Sequence, residues 1–123
     1  MDADPAAEPW FDEEIFEALR ETVSEEIFPR LLRLFLENTR TKLEEILVID
    51  PRNDADNLAI ALHALKGSAL MVGARELEGT SEELRAAARR GDAPAIEEGI
   101  VHLREAVERV HERVRTELKR SPG

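Results

Sequence analysis

The 123 residues include no cysteine and carry a formal net charge of −10, which excludes disulfide frameworks and thiolate metal or redox sites. The acidic balance argues against a nucleic-acid partner, because such a field repels phosphate backbones. No apolar run approaches the roughly 20 residues needed to span a bilayer, and no signal-peptide core follows Met1. A cytoplasmic protein without a membrane role is therefore expected.

The charge is unevenly placed. Residues 1–26 hold ten acids and one base, Arg20, whereas residues 27–123 hold seventeen acids and sixteen bases. Residues 1–9 are acidic, contain Pro5 and Pro9, and lack a repeating apolar pattern, so they read as a disordered acidic leader. Residues 10–120 are then expected to form one helical domain. Ala, Leu, Glu and Arg dominate, and no segment alternates with period two.

Asp12 is a plausible N-cap for a short first helix over about 12–22, in which Ile15, Phe16, Leu19 and Val23 recur at helical spacing. Ser24 can cap a second helix with Pro29 early in it, and Ile27, Leu31, Leu34, Phe35, Leu43, Ile46 and Leu47 run down a broad face. Asp50-Pro51-Arg52-Asn53-Asp54 ends it with turn residues. A third helix is expected from Ala55 to Val72, stopped by Gly73. A fourth runs from Ala74 to Arg90, with Leu77, Ser81, Leu84 and Ala88 inward, and ends at Gly91.

Asp92 caps the last helix, with Pro94 in its first turn. There Ile96, Ile100, Leu103, Val107, Val110, Val114 and Leu118 form the clearest stripe in the chain. Short connections favour antiparallel neighbours. The expected fold is all-α: an antiparallel up-and-down four-helix bundle with a short additional N-terminal helix alongside.

The third helix carries the unusual stretch Leu62-His63-Ala64-Leu65-Lys66-Gly67-Ser68. On a helical wheel Leu58, Leu62, Leu65, Ala69 and Val72 make the core stripe. His63 falls about 140° from its centre and Gly67 nearly opposite it. Around His63 on this outer side stand Ile60, Ala64, Gly67, Leu70 and Met71, all uncharged, in a chain that is 36% charged. Exposed apolar surface around a polar group suggests a docking site. The competing reading is a helix buried on all sides, partly beneath the first helix. Gly67 favours the open face, since a mid-helix Gly costs about 0.5–1 kcal/mol relative to Ala and leaves room for a partner.

His63-Ala64-Leu65-Lys66-Gly67-Ser68, then Gly73-Ala74, Leu77, Leu84 and Arg89 before Gly91-Asp92, resembles the histidine-containing phosphotransfer (HPt) domains of two-component phosphorelays. The resemblance covers about residues 12–118. Leu62 stands where the family often has Ala, Thr80 where a Cys or small apolar residue is common, and Arg85 where a Glu often follows the leucine.

The resemblance implies that His63 accepts a phosphoryl group from a receiver-domain phospho-aspartate, or from a kinase, and passes it to another receiver aspartate. A histidine imidazole is nucleophilic near pH 7 without an activating base. Lys66, Arg89 and Arg85 would offset the added charge. Ile60, Ala64, Gly67, Ser68, Leu70 and Met71 would meet the partner. The chain would act as a monomeric phosphocarrier without a cofactor or autokinase activity, the Mg²⁺ and acceptor Asp belonging to a receiver domain. A sensor or hybrid histidine kinase is a further expected partner.

Two other readings compete. A helical-bundle adaptor would use the face around His63 without phosphorylation. A metal-binding carboxylate bundle is poorly supported, because the paired E-x-x-H motifs such a site needs do not occur. His102 and His111 lie nine residues apart, about 180° around one helix, and cannot share a metal. Both are expected at the surface or its boundary.

Overall fold

The computed structural model describes residues 10–120, and the expected leader over residues 1–9 lies outside them. Asp12 starts α1 (Glu13–Thr22) as anticipated, its side chain accepting hydrogen bonds from the N–H groups of Glu14 and Ile15. α2 (Ile27–Val48) begins three residues after Ser24, whose Oγ accepts from the Ile27 N–H at 3.2 Å. Pro29 is tolerated there because the first turn of a helix has no partner for its N–H groups.

α3 (Ala55–Val72) stops at Gly73, which takes the left-handed conformation with φ 84°. A Cβ on Gly73 would also meet the Asp12 backbone oxygen at 2.6 Å, so only glycine lets α1 join here. α4 (Arg75–Arg90) ends at left-handed Gly91, and α5 (Ala93–Arg120) follows with the Asp92 side chain accepting from the Ala95 N–H. Among the described residues the five helices are joined by no strand. None of them is long and apolar enough to cross a membrane.

The four longer helices close a ring in which α2 packs on α3, α3 on α4, α4 on α5 and α5 on α2. Leu58, Leu62, Leu65, Ala69 and Val72 of α3 fill its centre as the wheel predicts. Leu77 and Leu84 of α4 meet them, with Leu103, Val110 and Val114 of α5. α4 and α5 approach closely at Gly99, where a Cβ would lie 3.1 Å from a Leu84 methyl. Glu76 pairs with Arg109 near one end of this seam, and Gly99 meets Leu84 further along it.

α1 sits across one end of the ring rather than alongside it. Asp12 N–H donates to Gly73, the Trp10 carbonyl accepts from Glu76 N–H, and Phe16 packs edge-on against Phe28. Glu13 pairs with Arg113, while Arg20 reaches the buried Glu117. Burial alone would raise the Glu117 carboxyl, but hydrogen bonds and charge from Arg20 and Arg113 overcome it and hold the group below its usual range.

Three inward assignments differ from the sequence pattern. On α2 the buried set is Phe28, Pro29, Leu32, Phe35, Thr39 and Ile46, whereas Ile27, Leu34 and Leu47 are exposed. Apolar residues cover more than half of this helix's circumference, so periodicity alone could not select the inner face. On α4 it is Ala87 rather than Ala88 that is buried, alongside Thr80. His111 is not a boundary residue: it is 7% exposed, bonded through Nε2 to Thr39 Oγ1 and edge-on to Phe35.

Candidate functional site

α3 projects His63 outward because its core stripe is satisfied by leucines and alanines on the opposite side. Leu62 and Leu65 are fully enclosed, and His63, Ala64 and Gly67 between and beyond them are exposed. The apolar rim is open as well: Ile60 is 67% exposed, Leu70 51% and Met71 37%. Ser68 is half-buried at its edge. α1 leaves His63 uncovered, and its Ile15 lines a separate hollow with Leu70 and Gly73. A Cβ added at Gly67 would meet nothing within 4 Å, so the glycine answers to no neighbour within the described residues.

α4 supplies the charge. A shallow depression between α3 and α4 is lined by Ala55, Asp56, Ala59, Ile60, His63, Arg85 and Arg89. The two arginines lie one turn apart on α4 and thus face the same side of it. Arg89 is exposed, whereas Arg85 is half-buried and bonds Glu82 at 3.4 Å. Lys66, one turn after His63, bonds the other oxygen of Glu82 at 3.3 Å. The hydrogen bond from Lys66 is the main cause that holds the Glu82 carboxyl below its usual range, with the charges of Arg85 and Lys66 adding to it against partial desolvation.

The predicted His63, Lys66, Arg85, Arg89 and rim residues are therefore brought to one outer face of the α3–α4 pair. Sequence reasoning missed Glu82, an acid that shares this face; Asp56, a charge that the α3 pattern already places near His63, lines the same depression. Glu82 precedes Arg85 by three residues, a spacing that puts both on one side of a helix; its approach to α3 has no sequence signature. His102 is exposed, with its Nε2 3.9 Å from Glu98. Among the described residues no group of three or more His, Asp or Glu side chains could hold a metal ion.

Such a surface can do one kind of chemistry readily. It presents an accessible imidazole to an incoming electrophile, provides cations for a transferred anion, and offers apolar area to seat the donor.

A family model described as the Hpt domain matches residues 30–113. The crystal structure of histidine-containing phosphotransfer protein B from Pseudomonas aeruginosa PAO1 superposes with a TM-score of 0.84 at 26% identity, covering 93% of this chain and 98% of that one. The maize histidine-containing phosphotransfer protein ZmHP2 superposes with a TM-score of 0.79 at 20% identity, covering 89% of this chain and 90% of that one. The latter likeness is one of fold. No curated protein sequence matches significantly.

Proposed function

The chain belongs to the Hpt-domain family, and from that premise we propose that His63 is its phosphoacceptor. The family places it among histidine phosphotransfer proteins of two-component signalling, which carry phosphoryl groups rather than turn over substrates. The observation that carries the assignment is the open face of α3, where His63 stands exposed beside Arg85 and Arg89.

In this reading the donor is a phospho-aspartate of a receiver domain, or a kinase. The imidazole lone pair forms a P–N bond as the acyl O–P bond breaks, and the electron pair leaves with the aspartate carboxylate. The second ring nitrogen then gives its proton to water. Onward transfer to another receiver aspartate reverses these bonds. Lys66, Arg85 and Arg89 offset the charge gained, while Ile60, Ala64, Gly67, Ser68, Leu70 and Met71 seat the receiver. The receiver contributes Mg²⁺ and the carboxylate, so this chain needs neither a cofactor nor ATP.

The proposed scaffold is an antiparallel up-and-down bundle formed by residues 10–120 and acting as a monomer. Support comes from α1 and the residues leading into it: Phe16 meets the start of α2 at Phe28, Asp12 the end of α3 at Gly73, Trp10 the start of α4 at Glu76, and Glu13 the far part of α5 at Arg113. Helices that present start, end, start and end to one element alternate in direction.

The test is phosphoryl transfer from a phosphorylated receiver. One acid-labile, base-stable label per chain is expected, and it is lost in His63→Gln. Label retained by that variant would move the site elsewhere. A second reading, a phosphorylation-independent adaptor, draws on the open apolar rim alone; it requires His63→Ala to keep both binding and signalling.

A further inference from the structure

In the unphosphorylated chain, two of the three cations near His63 are already engaged. Lys66 and Arg85 each bond one oxygen of the Glu82 carboxylate, at 3.3 Å and 3.4 Å. They come from different helices, so Glu82 also ties the His63-bearing helix to its neighbour. All three side chains are partly exposed. The pairs are therefore weak enough to exchange, since solvent screens exposed ion pairs and leaves them little net strength. Arg89 is the cation left without an acid among the described residues.

A phosphoryl group on His63 would bring close to two negative charges and three acceptor oxygens into this cluster. Lys66 lies one turn along the same helix face, and Arg85 lines the same depression as the imidazole. We propose that Glu82 is a resident counter-ion that competes with the phosphoryl group for Lys66 and Arg85, and thereby sets how tightly this chain holds that group. The inference rests on His63 being the acceptor. Glu82 acts through its two partners and touches no reacting atom, so it is a positioning residue.

The consequence is a bias in the transfer equilibrium. The resting cluster loses its Glu82 contacts when the P–N bond forms and regains them when that bond breaks, so Glu82 favours release. Without the carboxylate both cations are free to turn to the phosphoryl group, and the phosphorylated state gains.

The experiment compares the wild type with Glu82→Gln and with Glu83→Gln, which removes the same charge from an exposed neighbouring position. Each full-length protein is phosphorylated with inorganic phosphoramidate, whose own P–N bond breaks with release of ammonia as the imidazole takes the phosphoryl group. Each is then equilibrated with one Mg²⁺-loaded receiver domain that exchanges phosphoryl groups with the wild type. Glu82→Gln is expected to shift the partition toward phospho-His63 by about 1.4- to 5-fold, the range of one exposed ion pair, and Glu83→Gln to leave it unchanged. In parallel, carbon-13 NMR titration is expected to show the Glu82 carboxyl moving up toward its ordinary range when His63 is phosphorylated.

Equal shifts in the two variants would reduce Glu82 to a general field effect and overturn the inference. No shift in Glu82→Gln would overturn it too, with the His63 assignment intact. A wild type that takes no phosphoryl group at His63 would overturn that assignment first and the inference with it.

Discussion

Two histidines of this chain sit in opposite regions of the ring and show what surroundings do to one side chain. His63 stands on the open outer face of α3, with apolar rim on one side and arginines of α4 on the other. His111 is enclosed in the seam between α2 and α5. The Thr39 hydroxyl already donates to the Phe35 carbonyl at 2.8 Å, so its oxygen accepts from His111 Nε2. That bond assigns the proton of the neutral ring to Nε2. Burial, then the charges of Arg115 and Arg40, pushes the His111 pKa down to about 4. The seam needs a neutral ring that fills space, whereas the open face leaves an imidazole free to react. Accessibility therefore separates a structural histidine from a candidate nucleophile.

Substitution at the two sites should break the comparison in opposite ways. His63→Gln is expected to abolish phosphoryl uptake entirely while changing stability by no more than about 0.5 kcal/mol, as for a surface position. His111→Ala should keep the label but lose about 2–4 kcal/mol, through the cavity and the lost donor to the Thr39 oxygen. Labelling assays beside urea unfolding curves check both. A destabilised His63→Gln, or a stable His111→Ala, would contradict the contrast.

Acid sharpens it further. The folded-state pKa of His111 lies below the unfolded value near 6.5, so the unfolded chain takes up its proton first as pH falls. The contribution is fully present above about pH 6.5 and is lost progressively toward pH 4, by up to about 3 kcal/mol. Unfolding curves across this window should show stability rising with pH, and His111→Phe should flatten the slope. The buried Glu117, held low by Arg20 and Arg113, acts in the same direction at lower pH.

The smallest expected effect distinguishes the open face from the packed joints. Gly67 has free space where a Cβ would go, so Gly67→Ala should stabilise the helix by about 0.5–1 kcal/mol. If the rim seats a receiver, the added methyl slows transfer from it at the same time. Melting temperature and transfer rate measured on one sample would show the two moving apart. Gly73→Ala, by contrast, combines a left-handed φ with a 2.6 Å approach to Asp12, and is expected to destabilise the junction of α1 with α3.

Most of α3 is legible from its own residues, because its apolar spacing is strict and its outer side is nearly free of charge. His111 is legible in part: it lies four residues after Val107 and three before Val114, both on the inner stripe of α5. A histidine does not announce burial, since its polar nitrogens can be satisfied on either side of the surface. The inner face of α2 is not legible, because Ile27, Leu34 and Leu47 compete with Phe28, Leu32 and Phe35 for the same role. Local periodicity ranks hydrophobic faces; it does not rank two faces of similar strength.

What the sequence determined by itself was local: the caps at Asp12 and Asp92, the glycine stops at 73 and 91, the five helices, and the outward turn of His63 from its own stripe. Those features depend on residues within one or two helical turns of each other. Only the tertiary structure decided that α1 crosses the end of the ring and leaves the His63 rim open. It alone set Thr39 against His111 and brought Glu82 between Lys66 and Arg85. Each is a meeting of groups selected by packing and charge across helices, for which no single helix carries the pattern.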